Sequence, residues 1–179
     1  MNINTKRLKL TEISWDDLEN IHNIHTVPEV DKYNTLGIPK VLEETKSVMQ
    51  PDIDDQLKKK RSRFGWKIIL KENNKFIGLA GFFLSNDKYK MGEFYYKFYP
   101  KFWGNGFATE VAKEIIKFGF VHYKLHRIEA GVETENSASV KVLEKAGMIC
   151  EGIRRKILPI RGEWKDNFHF AIIEDEVSY

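Results

Sequence analysis

Residues 101–120 read KFWGNGFATEVAKEIIKFGF and set Gly104 and Gly106, one residue apart, directly before a long helical pattern. Phe107, Ala108, Val111, Ala112, Ile115, Ile116, Gly119 and Phe120 recur in pairs every four residues. That is one apolar stripe at the helical period. Upstream, EFYYKFYP at residues 93–100 is rich in aromatic residues and closes on a proline, which suits a strand leaving a sheet. The local order is therefore strand, glycine loop, helix. Glycine permits a tight backbone and leaves N–H groups uncovered. A helix start adds free donors and the positive end of its dipole, so an anion, most often phosphate, is its natural guest. A glycine pair before a helix is also often only a turn. No Gly-Lys-Ser/Thr follows, so the lysine and metal-binding hydroxyl of a Walker A loop are missing. The third glycine of a dinucleotide fingerprint is absent as well.

The pattern extends in both directions. RLKLTEI at residues 7–13 alternates as a strand, and SWDDLENIHNIH at 14–25 opens like a capping box, with Asp17 three residues after Ser14. Pro28 is expected to end that helix. A second helix is expected after Pro39, through Val41, Leu42, Thr45, Val48 and Met49, with Pro51 interrupting it. GWKIIL and KFIGLAGFFL flank a turn at residues 72–75 and predict a hairpin. Beyond the glycine helix, LHRIEAGVE reads as a strand and NSASVKVLEKAG as a short helix, with Asn136 as its N-cap and Gly147 as its stop. MICEGIRRKI and NFHFAII are the last strands. The order is β, α, α, β, β, β, α, β, α, β, β, with no repeat and no dividing linker, so one domain over residues 1–179 is expected.

The chain carries 29 Lys and Arg against 26 Asp and Glu, a net charge of +3, which does not suggest a nucleic-acid binder. Its charge runs, including Asp52, Asp54 and Asp55 and the basic cluster from Lys58 to Arg63, read as solvated faces. The single cysteine, Cys150, sits in an apolar segment and reads as a small core residue. The first residues lack the apolar core of a signal peptide, and no apolar run approaches the ~20 residues that cross a bilayer. A cytoplasmic protein without membrane contact is expected. His22 and His25 have helical spacing but no obvious third ligand, so no metal is expected.

Three stretches carry a family resemblance. PKFWGNGFATEVAKEIIKFGF at 100–120 resembles the pyrophosphate loop and helix of the GNAT superfamily of acyl-CoA-dependent N-acetyltransferases. RIEAGVETENSASVKVLEKAGMICEGIRR at 127–155 resembles the strand, Asn-x-x-Ser helix and Gly-hydrophobic turn of its RimJ/RimL-like branch. NTKRLKLTEISWDDLENI at 4–21 resembles that branch's opening strand and helix. The superfamily loop is often Arg/Gln-x-x-Gly-x-Gly/Ala. Here Trp103 holds the first position, with Gly106 and Ala108 at the later two, so the backbone cradle is kept and the cation is not.

The resemblance implies an α/β (α+β) fold: a central mixed, mostly antiparallel sheet of about seven strands flanked by about four helices. It implies acetyl-CoA as cosubstrate, an amine acceptor (a protein N-terminus or a small molecule), and a monomer or homodimer. Residues 103–109 (Trp103, Gly104, Asn105, Gly106, Phe107, Ala108 and Thr109) would hold the pyrophosphate. Tyr96, Phe98, Asn136 and Ser139 would meet the pantetheine arm. Acetyl transfer needs a neutral acceptor, and free amines ionise near ~8 for an α-amine and ~10.4 for lysine. Glu93, on the thioester-holding strand, is the candidate base, with Glu133 and Glu135 in reserve. Many members carry a tyrosine acid where this chain has Leu143, so Ser139 is the candidate donor to the leaving thiolate. Tyr33, Trp164 and Asp166 are candidates for the acceptor pocket by analogy. An acyl-CoA-binding protein without catalysis is the alternative from another class.

Overall fold

The computed structural model describes residues 1–85 and 88–177. Among these residues, eight strands form one sheet in the order β1-β2-β3-β4-β5-β6-β8-β7. They are β1 (Ile3–Asn4), β2 (Leu8–Glu12), β3 (Arg63–Leu70), β4 (Lys75–Leu84), β5 (Met91–Phe98), β6 (Arg127–Glu133), β7 (Ile149–Ile160) and β8 (Glu163–Ile173). Among the described residues the α-helices are α1 (Leu18–His25), α2 (Pro28–Asp31), α3 (Leu42–Gln56), α4 (Phe107–Tyr123) and α5 (Ser137–Lys145). All neighbouring strands are antiparallel except β5 and β6, which are parallel.

The α4 stripe predicted from the sequence packs on one face of the sheet. Val111, Ala112 and Ile115 are fully buried against a core that includes Phe82, Phe94, Phe98, Ile128 and Phe170. Burial of a side chain the size of Val111 or Ile115 is worth about 1.5–3 kcal/mol. Gly119 marks the closest approach of helix and sheet: a Cβ there would lie 2.6 Å from Ile128 Cδ1 and 2.9 Å from Phe82 Cζ. The other face is covered by α1 and α3, where Ile13, Ile21, Ile24, Met49 and Leu79 form a second apolar cluster.

Several expectations are corrected. Pro28 does not merely end a helix; it opens the short α2 at its first turn, where its missing N–H costs nothing. Pro51 does not interrupt α3, which runs through it. The buried residues Thr45, Met49, Asp52 and Asp55 share the helix's inner face, and their packing outweighs the lost backbone bond. Asp52 and Asp55 are thus not a solvated face. Asp52 accepts a 2.8 Å bond from Arg63 Nε, and Asp55 accepts from the backbone N–H groups of Ser62 and Arg63 at 2.8 and 2.9 Å. Cys150 is exposed, because β7 is an edge strand with few covered side chains. The additional strand, β1, is only two residues long and has no periodicity to reveal it.

Candidate active site

The opening in the sheet is set by where pairing stops. β5 and β6 pair only at Met91↔Arg127, Gly92↔Ile128 and Glu93↔Glu129. Both strands then run on, β5 to Phe98 and β6 to Glu133, without pairing to each other. Their inner edges offer backbone donors and acceptors to any extended chain lying between them. One of these acceptors is engaged: the Phe98 carbonyl accepts a 2.8 Å bond from the Trp103 indole N–H.

The glycine loop follows directly. Gly104 and Gly106 both have φ of 77°, and Gly106 is the N-cap of α4. The first intrahelical bond is Glu110 N–H to the Gly106 carbonyl at 3.1 Å, so the N–H groups of Phe107, Ala108 and Thr109 lack helical acceptors. Asn105 braces the loop through its side-chain amide to the Trp103 carbonyl at 3.0 Å. Arg7, to which the sequence pattern assigns no role, also reaches the loop. Its Nε donates to Glu110 at 2.7 Å, and its Nη1 donates to the Asn105 carbonyl at 2.9 Å. Its guanidinium lies 4.4 Å from the Phe107 ring centroid. It brings a cation to a loop whose own first position is Trp103. No spacing rule links residue 7 to residue 106; only the sheet brings them together.

The two faces of the opening differ in chemistry. Glu93 and Lys97 point to the α1/α3 face, since Lys97 pairs with Leu79 of that cluster. Glu93 reaches solvent, yet the protein packed around it, and then the like charge of Glu129, raise its carboxyl pKa. Arg154 and His169 oppose that rise. Lys97 is pushed down to about 8 by burial, with Asp31 opposing, and buried His25 is pushed down to about 3 by burial, then by Lys97 and His22. On the opposite face, Tyr96 joins the core with Phe94 and Phe98. Beyond β6, the Asn136 side chain caps α5 by accepting the Ser139 N–H at 3.2 Å. Leu143 is buried on the same helix.

The acceptor candidates gather at the far end. The β7–β8 hairpin is tied to α2: Arg161 donates to the Lys32 carbonyl and lies 3.7 Å from the Asp31 carboxylate. Tyr33 follows that contact, with the Lys32 ammonium 4.9 Å from its ring centroid. Trp164 is exposed on the hairpin. Asp166 accepts the Lys156 N–H at 2.8 Å, within the irregular part of β7, so its carboxylate already supports the hairpin. Glu133 is buried and accepts the Glu135 N–H at 3.0 Å, whereas Glu135 is exposed. His22 contacts Thr45 Oγ1 at 2.7 Å.

A parallel fork in a mixed sheet, with a glycine-capped helix at its open end, defines a class of protein, and comparison with known proteins agrees. Residues 7–149 match the acetyltransferase (GNAT) domain family. The chain belongs to that family and is a GNAT acyltransferase. It is 32% identical over 178 residues to the uncharacterized N-acetyltransferase YnaD of Bacillus subtilis, covering 98% of this chain and 99% of that one. Mycobacterium smegmatis RimJ, solved in complex with CoA-disulfide, superposes with a TM-score of 0.89 at 19% identity, over 100% of this chain and 90% of that one. Spermidine N-acetyltransferase from Vibrio cholerae, in complex with CoA and spermine, gives 0.82 at 22% identity, over 95% and 97%.

Proposed function

We propose that the protein transfers the acetyl group of acetyl-CoA to a primary amine, with a protein α-amine as the leading acceptor class. The observation that carries this reading is the conjunction of the fork and the α4 start. Free strand edges suit an extended amide-bearing arm, and the uncapped N–H groups of residues 107–109 suit a pyrophosphate. The left-handed Gly106, with only Arg7 Nη2 within 4 Å of where a Cβ would stand, leaves the cradle bare. The two structural neighbours named above were solved with CoA or its disulfide, which supports the same cosubstrate here.

Acetyl-CoA supplies an activated carbonyl and a thiolate leaving group. Glu93 takes the proton that makes the acceptor nucleophilic, directly or through water. Its raised pKa improves it as a base. Backbone N–H groups along the fork face the developing oxyanion. Ser139, on the opposite face, donates a hydrogen bond to the departing sulfur. The acceptor enters between α2 and the β7–β8 hairpin, past Tyr33, Trp164 and Asp166. An α-amine ionises near ~8 instead of ~10.4, and so asks less of a carboxylate base than a polyamine or a lysine does. The RimJ/RimL-like motifs in residues 127–155 support the same acceptor.

The test is free-thiol release from acetyl-CoA with N-terminal peptides, polyamines and amino sugars as acceptors. Turnover with peptides above the others is expected. Preference for a polyamine or amino sugar would overturn the acceptor class. CoA binding without turnover on any amine would favour an acyl-CoA-binding protein.

A further inference from the structure

Tyr96 holds a buried hydroxyl that no protein group meets in full hydrogen-bond geometry, with Ser139 its weakly engaged neighbour. An unpaired buried hydroxyl is costly, and a phenylalanine would fill the same space without that cost. The ring is fixed by its neighbours, with centroids 6.4 Å from Phe94 and 6.3 Å from Phe98. Its position is not arbitrary. Tyr96 lies three residues past Glu93, the last residue of β5 paired with β6, and so stands on the open arm of the fork. Its hydroxyl points toward Ser139, whose side chain lowers the phenol's pKa through a hydrogen-bonding interaction, although the pair misses full hydrogen-bond geometry. Ser139 belongs to the first turn of α5, the helix that follows β6. The phenol therefore reaches from one arm of the fork toward the element that follows the other, on the face opposite Glu93. Farther along α5, Leu143 offers only an apolar side chain.

We infer that the Tyr96 hydroxyl is the acid that protonates the departing CoA sulfur, with Ser139 beside it as a second donor. This rests on the acetyl-transfer reading. The acceptor nitrogen bonds to the carbonyl carbon, and collapse of the tetrahedral adduct breaks the C–S bond with the electron pair leaving on sulfur. The phenol proton passes to that sulfur. The phenolate is then reprotonated by way of the half-buried Ser139 hydroxyl, from solvent that takes up the protons the acceptor nitrogen sheds. An acceptor that starts as an ammonium ion releases one net proton. Base and acid thus work from opposite faces of one opening, and neither has to exchange roles within a turnover. Burial pushes the phenol up to about 12, with Ser139 opposing, so it stays protonated across the working range. A thiolate arriving in the same surroundings is made more basic for the same reason.

The experiment follows the thiol of bound CoA through its ultraviolet thiolate absorbance, alongside turnover, in wild-type protein and in Tyr96→Phe. A phenol aimed at the sulfur stabilises the thiolate, so Tyr96→Phe should raise the titration point of bound CoA by about one to two pH units. Turnover with acetyl-CoA should fall roughly ten- to a hundredfold. The loss should shrink with an aryl thioester, whose thiolate leaves without needing a proton. The backbone edges of the fork are unchanged, so the variant should still bind CoA, and thermal stability of the free protein should stay level or rise. A merely structural tyrosine would leave the titration point unmoved. Unchanged titration and turnover, with CoA still bound, would overturn the acid and leave the acetyl-transfer reading standing. If wild-type protein bound no CoA, both would fall. Should Tyr96→Phe not fold, a fluorotyrosine at position 96, a stronger acid of nearly equal size, should lower the titration point; no change would again overturn the proposal.

Discussion

Glu93 and Gly106 put the proposed chemistry on two backbone positions that can be changed without touching the core. Glu93→Gln keeps the shape and removes the base, so turnover should fall by about two to four orders of magnitude. The wild-type rate should climb with pH as the carboxyl, raised by burial and Glu129, loses its proton. The Glu93→Gln rate should follow only the unaided ionisation of the acceptor. A pH–rate comparison of the two proteins checks this, and identical profiles would move the base to Glu135 or bulk water. Gly106→Val acts through conformation: φ of 77° costs a side-chain-bearing residue about 1–2 kcal/mol. No protein atom crowds the new Cβ closer than 3.6 Å, so the fold should survive. Calorimetry should show weakened acetyl-CoA binding on a folded protein.

The elements differ in how plainly their sequences announce them. α4 was readable because its stripe is long and its loop carries two glycines in sequence. The fork was not, because β6 stays paired to β8 along its whole length while β5 leaves it after Glu93, and no single residue marks that parting. α3 was misread at Pro51 and at its aspartates, since a buried carboxylate and a solvated one look alike until the residues that bind it, here Ser62 and Arg63, are placed. Among the residues of the candidate site, Gly104, Gly106 and Asn136 stand out in local pattern as a loop and two helix starts. Arg7 and Lys97 do not, because their partners are distant in sequence. The β7–β8 hairpin yields a further prediction. Arg161 ties it to the Asp31 and Lys32 end of α2. Arg161→Ala should loosen the acceptor side alone. The KM for the amine should rise severalfold while that for acetyl-CoA stays level, and initial-rate kinetics with each substrate varied in turn would show it.

Across the whole molecule, buried His25 and half-buried Lys97 shape the response to pH. His25, lowered to about 3, stays neutral in the fold while the unfolded chain takes up a proton below about 6.5. Stability should therefore decline as pH falls through that interval. Lys97, lowered from 10.5 to about 8, imposes its full cost below pH 8, where it is charged in both states. That cost fades as pH rises toward 10.5. The gap corresponds to roughly 3 kcal/mol. Lys97→Met should raise stability most at neutral pH and lose its advantage as pH approaches 10.5, which denaturant titration at several pH values would reveal. Asp31 would keep Arg161 nearby.

The three-rung junction between β5 and β6 also has a mechanical meaning. β1 to β5 form one plate, β6 to β8 another, and so few rungs make the line between them a seam. A cosubstrate whose amides bond to the parted edges would act as a suture, adding rungs that the chain does not supply. Amide exchange at residues 94–98 and 130–133 should then slow when CoA is added. The melting temperature should climb with CoA concentration, by an increment worth about 2.7 kcal/mol at a hundredfold excess over Kd. Before CoA arrives, three backbone rungs alone join the two plates along this line, the last of them at Glu93 and Glu129.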